Sequence, residues 1–255
     1  MPPLSDLASL GLAAGAGMLG GAMNALAGGG SFATMPSLIA LGLPSPIANA
    51  TSNVAVQPAA MASAWAYRAD LGPVGGVGIR TLAGITFVGG LVGSLLLFFT
   101  PATAFDVIVP WLLLMATLAI AFGKPASTWL HARVAIGSRS LIAAQTLLGI
   151  YGGYFGGGVG MMLTAAWGLL SGASPAKLAA PRTLMLATAN AAATIVFAAT
   201  GMVAWTLCLP MMAGGVVGGY FGARFGRKLP DAVIRGWTLL VTATTTIVFF
   251  YRAYA

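Results

Sequence analysis

Two groups of polar side chains stand inside otherwise apolar stretches of the sequence. The first occurs in "NATSNVAVQP" (49–58) and the second in "KLAAPRTLMLATAN" (177–190). Hydroxyl and amide groups can replace the hydration water of a small oxyanion, and the planar guanidinium of an arginine can bind two oxygens at once. The groups therefore predict an anion site, with these candidate ligands: Arg182, Ser52, Asn53, Thr51, Thr183, Asn49, Gln57 and Asn190.

The same residues have a structural interpretation that the sequence leaves open. Hydroxyl and amide groups also cap helices or form hydrogen bonds between them. Arg182 is the only one of the candidates with a formal charge. A charge at membrane depth marks a functional site by default, whereas the same charge at the membrane interface would only set topology.

A glycine cluster precedes each polar group, in "ALAGGGSF" (25–32) and in "GGYFGGGVGMM" (152–162). Each glycine costs a helix about 1 kcal/mol relative to alanine. Backbone groups freed in lipid must then be satisfied by protein or water. We interpret the clusters as helix breaks that line a cavity, where the backbone of Gly29, Gly30 and Gly158 could hold an ion. For isolated pairs four residues apart, such as Gly214 and Gly218, close helix packing is the favoured interpretation.

The composition indicates the class of protein that must position these residues. The chain has 255 residues, of which 58% are hydrophobic and 6% charged, whereas soluble domains carry about 25% charged residues. No charge occurs between residues 7 and 67, a run long enough for about three membrane crossings. Because no short segments of alternating polarity suggest a barrel, we predict a polytopic protein of transmembrane helices.

The charges and the reactive residue types exclude several functions. The net charge of +8 comes from basic residues between apolar runs, as in cytoplasmic loops, and no basic patch with interleaved aromatic residues predicts a nucleic-acid partner. One His, the single Cys208 and four Asp near segment ends form no acid–base pair and no metal cluster. We expect no enzymatic activity, no metal and no cofactor. The expected partners are a small anion and the lipid bilayer, and a homodimer stays open.

The two halves of the chain show the same order of features. Residues 124–138 form a polar linker between a first membrane repeat (1–123) and a second (139–255). At an offset of 130 the first-half residues Gly28, Gly30, Thr34, Gly42 and Ala50 align with Gly158, Gly160, Thr164, Gly172 and Ala180. The sequence therefore predicts an all-α fold of two pseudo-symmetric repeats, with about four to five apolar segments each and helices broken at the glycine-rich sites.

The placement of basic residues predicts that the repeats are inverted. Arg68 and Arg80 flank a gap whose second-half counterpart, near 198–205, is uncharged. The basic run Arg224, Arg227 and Lys228 has no basic counterpart in the first half. If basic loops face the cytoplasm, the two halves have opposite orientations. Short re-entrant segments at 31–43 and 159–171 would reconcile the basic linker with this arrangement.

Three stretches resemble the TauE/SafE sulfite exporter family. They are "GGGSFATMPSLIALGLPSPIANATSNVAV" (28–56), "GGYFGGGVGMM" (152–162) and "GGVVGGYFGARFGRKLPDAVIRGW" (214–237). The resemblance implies a multi-pass carrier of the bacterial inner membrane that moves sulfite, sulfonates or related sulfur oxyanions, often outward. "ATSN" (50–53) matches a motif of the family, whereas "APRTL" (180–184) has a proline and an arginine where members often keep a threonine–serine pair.

The predicted function is export of a small sulfur oxyanion through a site between the two polar groups. The spans hold no carboxylate for a proton relay, so we expect the membrane potential to drive export, at about 2.3 kcal/mol per charge and 100 mV. The alternatives are an uptake permease for a small anion or sulfur compound, and a membrane accessory subunit without transport. An intramembrane enzyme is disfavoured because acid–base residues are missing.

Overall fold

The structure is a computed structural model that describes residues 6–131, 138–226 and 230–254, and within these ranges the chain is helical apart from short connections. The described helices, numbered in chain order, are α1 (Leu7–Ala27), α2 (Ser31–Ala40), α3 (Ser45–Ala66), α4 (Ile79–Phe99), α5 (Ala102–His131), α6 (Ser138–Tyr154), α7 (Val159–Ser171), α8 (Pro175–Ala199), α9 (Trp205–Gly226) and α10 (Asp231–Tyr254). The prediction of an all-helical fold is confirmed.

Several helices have the length and composition of membrane spans. Four described segments are long and apolar enough to cross a bilayer: Leu7–Leu26, Ile79–Phe99, Ala102–Phe122 and Ala176–Ala199. The two short apolar helices α2 and α7 follow the two glycine clusters. Their positions match the short segments that the sequence predicts after each break.

Both glycine clusters interrupt the helical backbone, as predicted. Helix α1 ends at Gly28 (φ 76°) and α7 begins after Gly158 (φ 75°), and both glycines have the left-handed conformation that side chains disfavour. After the first break, α2 turns back along α1. Gly20 of α1 faces both the Gly30 carbonyl and the Thr34 side chain, so the two helices run antiparallel.

Glycine seams join the halves of the chain. Helix α1 lies against α9, where a Cβ on Gly17, Gly21 or Gly218 would overlap a backbone carbonyl of the other helix. Helix α4 lies against α6 in the same way, through Gly93 and Gly153. The spacing of small residues therefore serves close packing in these helices, as the sequence predicts for Gly214 and Gly218.

The contacts define two sets of parallel helices. Helices α1, α3 and α9 run together, as four pairs show: Gly17 with Met211, Gly21 with Gly215, Ala55 with Gly215 and Ala59 with Gly219. Helices α4, α6 and α8 run together through Thr86 with Gly149, Gly90 with Gly153, Thr86 with Met185 and Gly90 with Ala189. Helices α3 and α8 pack antiparallel through three contacts in order along α3: Thr51 with Ala204 just beyond α8, Gln57 with Ala187, and Tyr67 within electrostatic range of Arg182.

A buried polar network ties α4, α6 and α7 together. The Gln145 amide donates to the Thr86 hydroxyl over 2.5 Å, and its oxygen accepts a 2.9 Å hydrogen bond from the Trp167 indole. Thr86 in turn donates to the Leu82 carbonyl. Every polar atom of the Gln145 side chain thus has a partner, and the network holds the short helix α7 in place.

The polar linker begins as helix. Helix α5 continues to His131, beyond the end of the apolar segment near residue 122. Just before the apolar segment of α5 ends, the Arg235 guanidinium of α10 donates to two carbonyls of α5. They are the carbonyls of Ile120 (3.3 Å) and Ala121 (2.6 Å). Because Pro125 has no N–H to offer the Ala121 carbonyl, Arg235 supplies the donor that the helix lacks. The basic residues Arg133, Arg227 and Lys228 lie outside the described residues, so the charges that predict inversion are described only in part.

Candidate functional site

The two helix breaks meet at the buried centre of the protein. A Cβ on Gly28 would lie 3.2 Å from the Gly160 Cα, and one on Gly158 would lie 3.2 Å from the Phe32 ring. Gly29 faces the Met161 side chain in the same region. The turn before α2 and the turn before α7 are therefore packed against each other.

The N-termini of α2 and α7 bring unpaired amides to this meeting point. In the described part of the chain, the N–H groups of residues 29–31 and 158–160 have no hydrogen-bond acceptor. Both segments are buried. A helix N-terminus carries about half a positive charge, and its free N–H groups form a site for an anion. Two such termini with unpaired donors meet here, away from water.

Asn53 reaches the second break from α3. Its side chain is 1% exposed, and neither its Nδ2 nor its Oδ1 has a hydrogen-bond partner. The Nδ2 lies 2.6 Å from the point where a Cβ on Gly156 would stand, so the residue at position 156 must be very small. Asn53 thus places a free donor and a free acceptor beside the turn that leads into α7.

The hydroxyls of Ser52, Thr51 and Thr183 already form hydrogen bonds within the protein. Ser52 shares a 2.5 Å hydrogen bond with Thr34 of α2, which itself donates to the Gly30 carbonyl. The Thr51 hydroxyl accepts a 3.0 Å hydrogen bond from the Ala204 amide at the start of α9. Thr183 donates to the Ala180 carbonyl over 2.9 Å. For these three predicted anion ligands, the structure supports the alternative interpretation, in which the side chains form hydrogen bonds within or between helices.

Two further predicted ligands have one end fixed and one end free. Asn49 donates through Nδ2 to the Tyr154 carbonyl (3.0 Å), and Gln57 donates through Nε2 to the Ala187 carbonyl (3.2 Å). The amide oxygens of both side chains are buried without a donor. On α8, the Asn190 amide oxygen and the Thr194 hydroxyl are also buried, and neither has a hydrogen-bond partner among the described residues.

Arg182 lies partly buried on α8, toward the far end of α3. It makes no hydrogen bond and no ion pair with the described residues. One turn further along the same face, Leu186 touches Gly28 of the first break. From the register set by Gln57 and Ala187, Arg182 and Ser52 lie about 15 Å apart along the helix axis, at 1.5 Å per residue. The glycine breaks, rather than Ser52 and Arg182, are brought together.

The structure adds residues that the sequence interpretation missed. Thr34 holds Ser52, Gly156 accommodates Asn53, and Thr194 extends the polar face of α8. Thr194 could have been found from its position four residues after Asn190, on the same face of a helix. Gly156 lies in the glycine cluster at 152–162, but its contact with Asn53 could not be found from the sequence, because the two residues are more than a hundred positions apart.

Comparison with known proteins matches the sequence to a family model and to several relatives. The family model described as "Sulfite exporter TauE/SafE" matches residues 13–249. A "Probable membrane transporter protein" of Haemophilus influenzae is 26% identical over 239 residues, which cover 92% of each chain. The "Probable membrane transporter protein YfcA" of Escherichia coli is 27% identical over 237 residues, 93% of this chain and 88% of that one. The "Probable membrane transporter protein ORF9" of a Sinorhizobium species is 27% identical over 235 residues, 91% and 88% of the two chains. No solved structure matches the chain.

Proposed function

Because the chain belongs to the sulfite exporter TauE/SafE family of membrane transport proteins, we propose that it exports a small sulfur oxyanion, sulfite or an organosulfonate, across a bacterial inner membrane. The meeting of two helix N-termini with unpaired amides at the buried centre carries this proposal. Sulfur oxyanions offer several acceptor oxygens on a compact charge, which matches amide donors converging from two sides.

Asn53 supplies a further donor to the anion. Its Nδ2 has no partner and stands against the second break, next to the amides of α7. The backbone of Gly29, Gly30 and Gly158 provides the remaining contacts, and the small size of these residues lets the substrate approach the main chain.

Arg182 is the charge partner of the substrate on the side of the first break. It has no counter-charge among the described residues, and it lies one turn from Leu186, which packs on Gly28. A fixed positive charge without a carboxylate partner attracts an anion toward the helix N-termini. Ser52 holds α2 beside the site and Thr51 holds the start of α9 there, whereas Thr183 donates to the Ala180 carbonyl within α8.

The site lies between two inverted repeats, α1–α5 and α6–α10. Three features support this arrangement: α1 packs on α9 as α6 packs on α4, α3 and α8 cross antiparallel, and α5 and α10 do the same through Trp111 with Tyr254 and Thr117 with Thr246. Gln57 also contacts Ala187, which is 130 positions away, the offset at which the halves align. A residue that touches its own counterpart lies on a two-fold axis. Rocking of one repeat against the other would then open the site to either side.

A flux experiment tests the substrate and its direction. Proteoliposomes loaded with radiolabelled sulfite should release it faster as the inside becomes more negative, since export moves negative charge outward. Methanesulfonate should compete and neutral dimethyl sulfone should not. Release that ignores voltage but follows a pH gradient, or uptake alone, would contradict potential-driven export. Absence of flux together with a stoichiometric partner on purification would indicate an accessory subunit instead.

A variant pair tests the charge partner. Arg182→Ala should weaken sulfite binding about ten- to hundredfold, the usual range for a hydrogen bond to a charged group. Arg80→Ala removes an exposed arginine at the start of α4 and should leave binding unchanged. Equal sulfite affinity in Arg182→Ala and the unmodified protein would remove Arg182 from the site, whereas the role of the helix N-termini would stand.

A further inference from the structure

The buried centre has an excess of hydrogen-bond acceptors. In the described part of the protein, four buried amide oxygens have no donor, and they belong to Asn49, Asn53, Gln57 and Asn190. Among the described residues, the one buried side-chain nitrogen without an acceptor is Nδ2 of Asn53. Buried polar atoms almost always have partners, so an unpartnered set in one place is a candidate site for an ion or for ordered water.

Two of these oxygens cannot be exchanged for donors by turning the amide. The nitrogens of Asn49 and Gln57 donate to the carbonyls of Tyr154 and Ala187. Rotation of either amide would place oxygen against oxygen, so the observed orientation is the one that the neighbours require. Both side chains therefore present an acceptor, and an anion would be repelled by it.

The free oxygens lie along one short stretch of the α3–α8 interface. Asn49, Asn53 and Gln57 follow one another at intervals of four on the same face of α3. Helix α8 runs antiparallel to α3, and Gln57 contacts Ala187. Along the common helix axis, Asn190 therefore lies at about the same height as Asn53, and Thr194 lies at about the same height as Asn49. The Thr194 hydroxyl is also without a partner.

The backbone of α3 adds a carbonyl to this set. Pro58 lies inside the helix and has no N–H. The Val54 carbonyl, four residues earlier, therefore lacks its helical donor. Side-chain amide oxygens, hydroxyls and freed carbonyls are the ligands by which broken helices hold Na⁺ in transporters.

We propose that the unpartnered oxygens of Asn53, Gln57 and Asn190 bind one alkali-metal cation beside the anion site. Asn49 lies about 12 Å from Gln57 along the helix axis, at 1.5 Å per residue, which is too far for both side chains to contact one ion. Hard cations prefer oxygen ligands. The set contains no carboxylate, so the ligands are neutral, which suits a single positive charge. Asn53 contacts both ions: its Nδ2 donates to the anion at the second break, and its Oδ1 binds the cation.

The role of the cation in transport rests on the proposed function. Cation binding itself does not, and it can be tested without any transport. One cation reduces the charge of a sulfite dianion to minus one, so a negative interior still favours export. K⁺ moves outward along its usual gradient and would assist export, whereas Na⁺ moves inward and would assist uptake. The identity of the ion therefore bears on the direction of transport.

Thermal unfolding of the purified full chain in detergent tests the site. Melting temperatures are measured in NaCl, KCl and choline chloride at equal ionic strength, without sulfite. The ion that binds should raise the melting temperature by about 5–10 °C at a hundred times its Kd. Equal melting temperatures in all three salts would overturn the proposal and indicate that water satisfies the oxygens.

Variants separate the cation site from general stability. Gln57→Leu removes one ligand oxygen and should abolish the salt-specific rise, whereas Gln57→Glu should lower the cation Kd at least tenfold. Gln145→Leu is the matched control, since it removes a buried amide whose atoms are all paired, and it should melt earlier but keep the rise. An unchanged rise in both Gln57 variants would overturn the proposal. Sulfite flux without any cation effect would overturn the cation site alone, and a cation effect without flux of any oxyanion would overturn the proposed function alone.

Discussion

Helices α3 and α8 each follow a short helix that begins at a glycine break, but the two helices carry different chemistry. Helix α3 presents a row of neutral amides, Asn49, Asn53 and Gln57, and its hydroxyls are tied to neighbouring helices. Helix α8 carries Arg182, which makes no hydrogen bond or ion pair with the described residues, and Asn190, whose amide oxygen has no donor among them. The comparison shows that the two helices, which pack against each other, present an acceptor-rich face on α3 and a positive charge on α8.

The glycine seams differ much less than the polar faces. In both seams, α1–α9 and α4–α6, backbone touches backbone without intervening side chains. The two seams are therefore alike in their packing, whereas α3 and α8 differ in the polar atoms that they present.

The seams should tolerate no side chain on either side. Gly21→Val in α1 and Gly153→Val in α6 should each destabilise the protein by about 3 kcal/mol or more, because a Cβ would overlap a carbonyl of the facing helix. Thermal unfolding in detergent measures the loss. Gly84→Ala, at a position with no atom near a Cβ, is the control and should melt normally. A tolerant Gly153→Val beside an intolerant Gly21→Val would mean that the two seams are not equivalent.

The Gln145 network has no equivalent around Gly15, the residue that aligns with Gln145 at the offset of 130. Gln145→Leu leaves the Trp167 indole and the Thr86 hydroxyl short of a partner, and should cost about 2–3 kcal/mol. Gly15, which stands 130 positions earlier, has no neighbour near a Cβ. Gly15→Ala should therefore be neutral or stabilise by up to about 1 kcal/mol through helix propensity. Chemical denaturation would compare the two variants, and equal losses would contradict the asymmetry.

The contact between α5 and α10 should give the smallest effect. Arg235→Met removes the donor that replaces the missing N–H of Pro125, and should cost about 1 kcal/mol. Pro125→Ala restores a backbone donor for the Ala121 carbonyl. The loss caused by Arg235→Met should therefore shrink when Pro125→Ala is also present, as a double-mutant cycle would measure. A loss of the same size in both backgrounds would show that Arg235 acts through another contact.

Much of the framework could be predicted from local features. The composition predicts transmembrane helices, and the glycine clusters mark the positions where α1 and α6 end, since both properties depend on residues close in the chain. The length of α5 could not be predicted this way. Its extension to His131 passes through polar residues and a proline, and it depends on the support of Arg235 from α10.

The polar positions of the candidate site could also be predicted, but their individual roles could not. Ser52 finds its partner in Thr34, 18 residues away, and Thr51 finds one in Ala204, 153 residues away. The residues near Ser52 and Thr51 in the sequence do not predict these hydrogen bonds. Asn53, in the same motif, has none.

The class of protein, the breaks in its helices and the positions of polar residues in apolar segments follow from the amino-acid sequence alone. The folded arrangement is needed to see that the two breaks meet, that unpaired amides converge from α2 and α7, and which side-chain oxygens have no donor among the described residues. The two kinds of information differ because helix formation is governed by neighbours along the chain. Whether a buried polar atom is satisfied, and hence free for a ligand, depends instead on which distant segment folds against it.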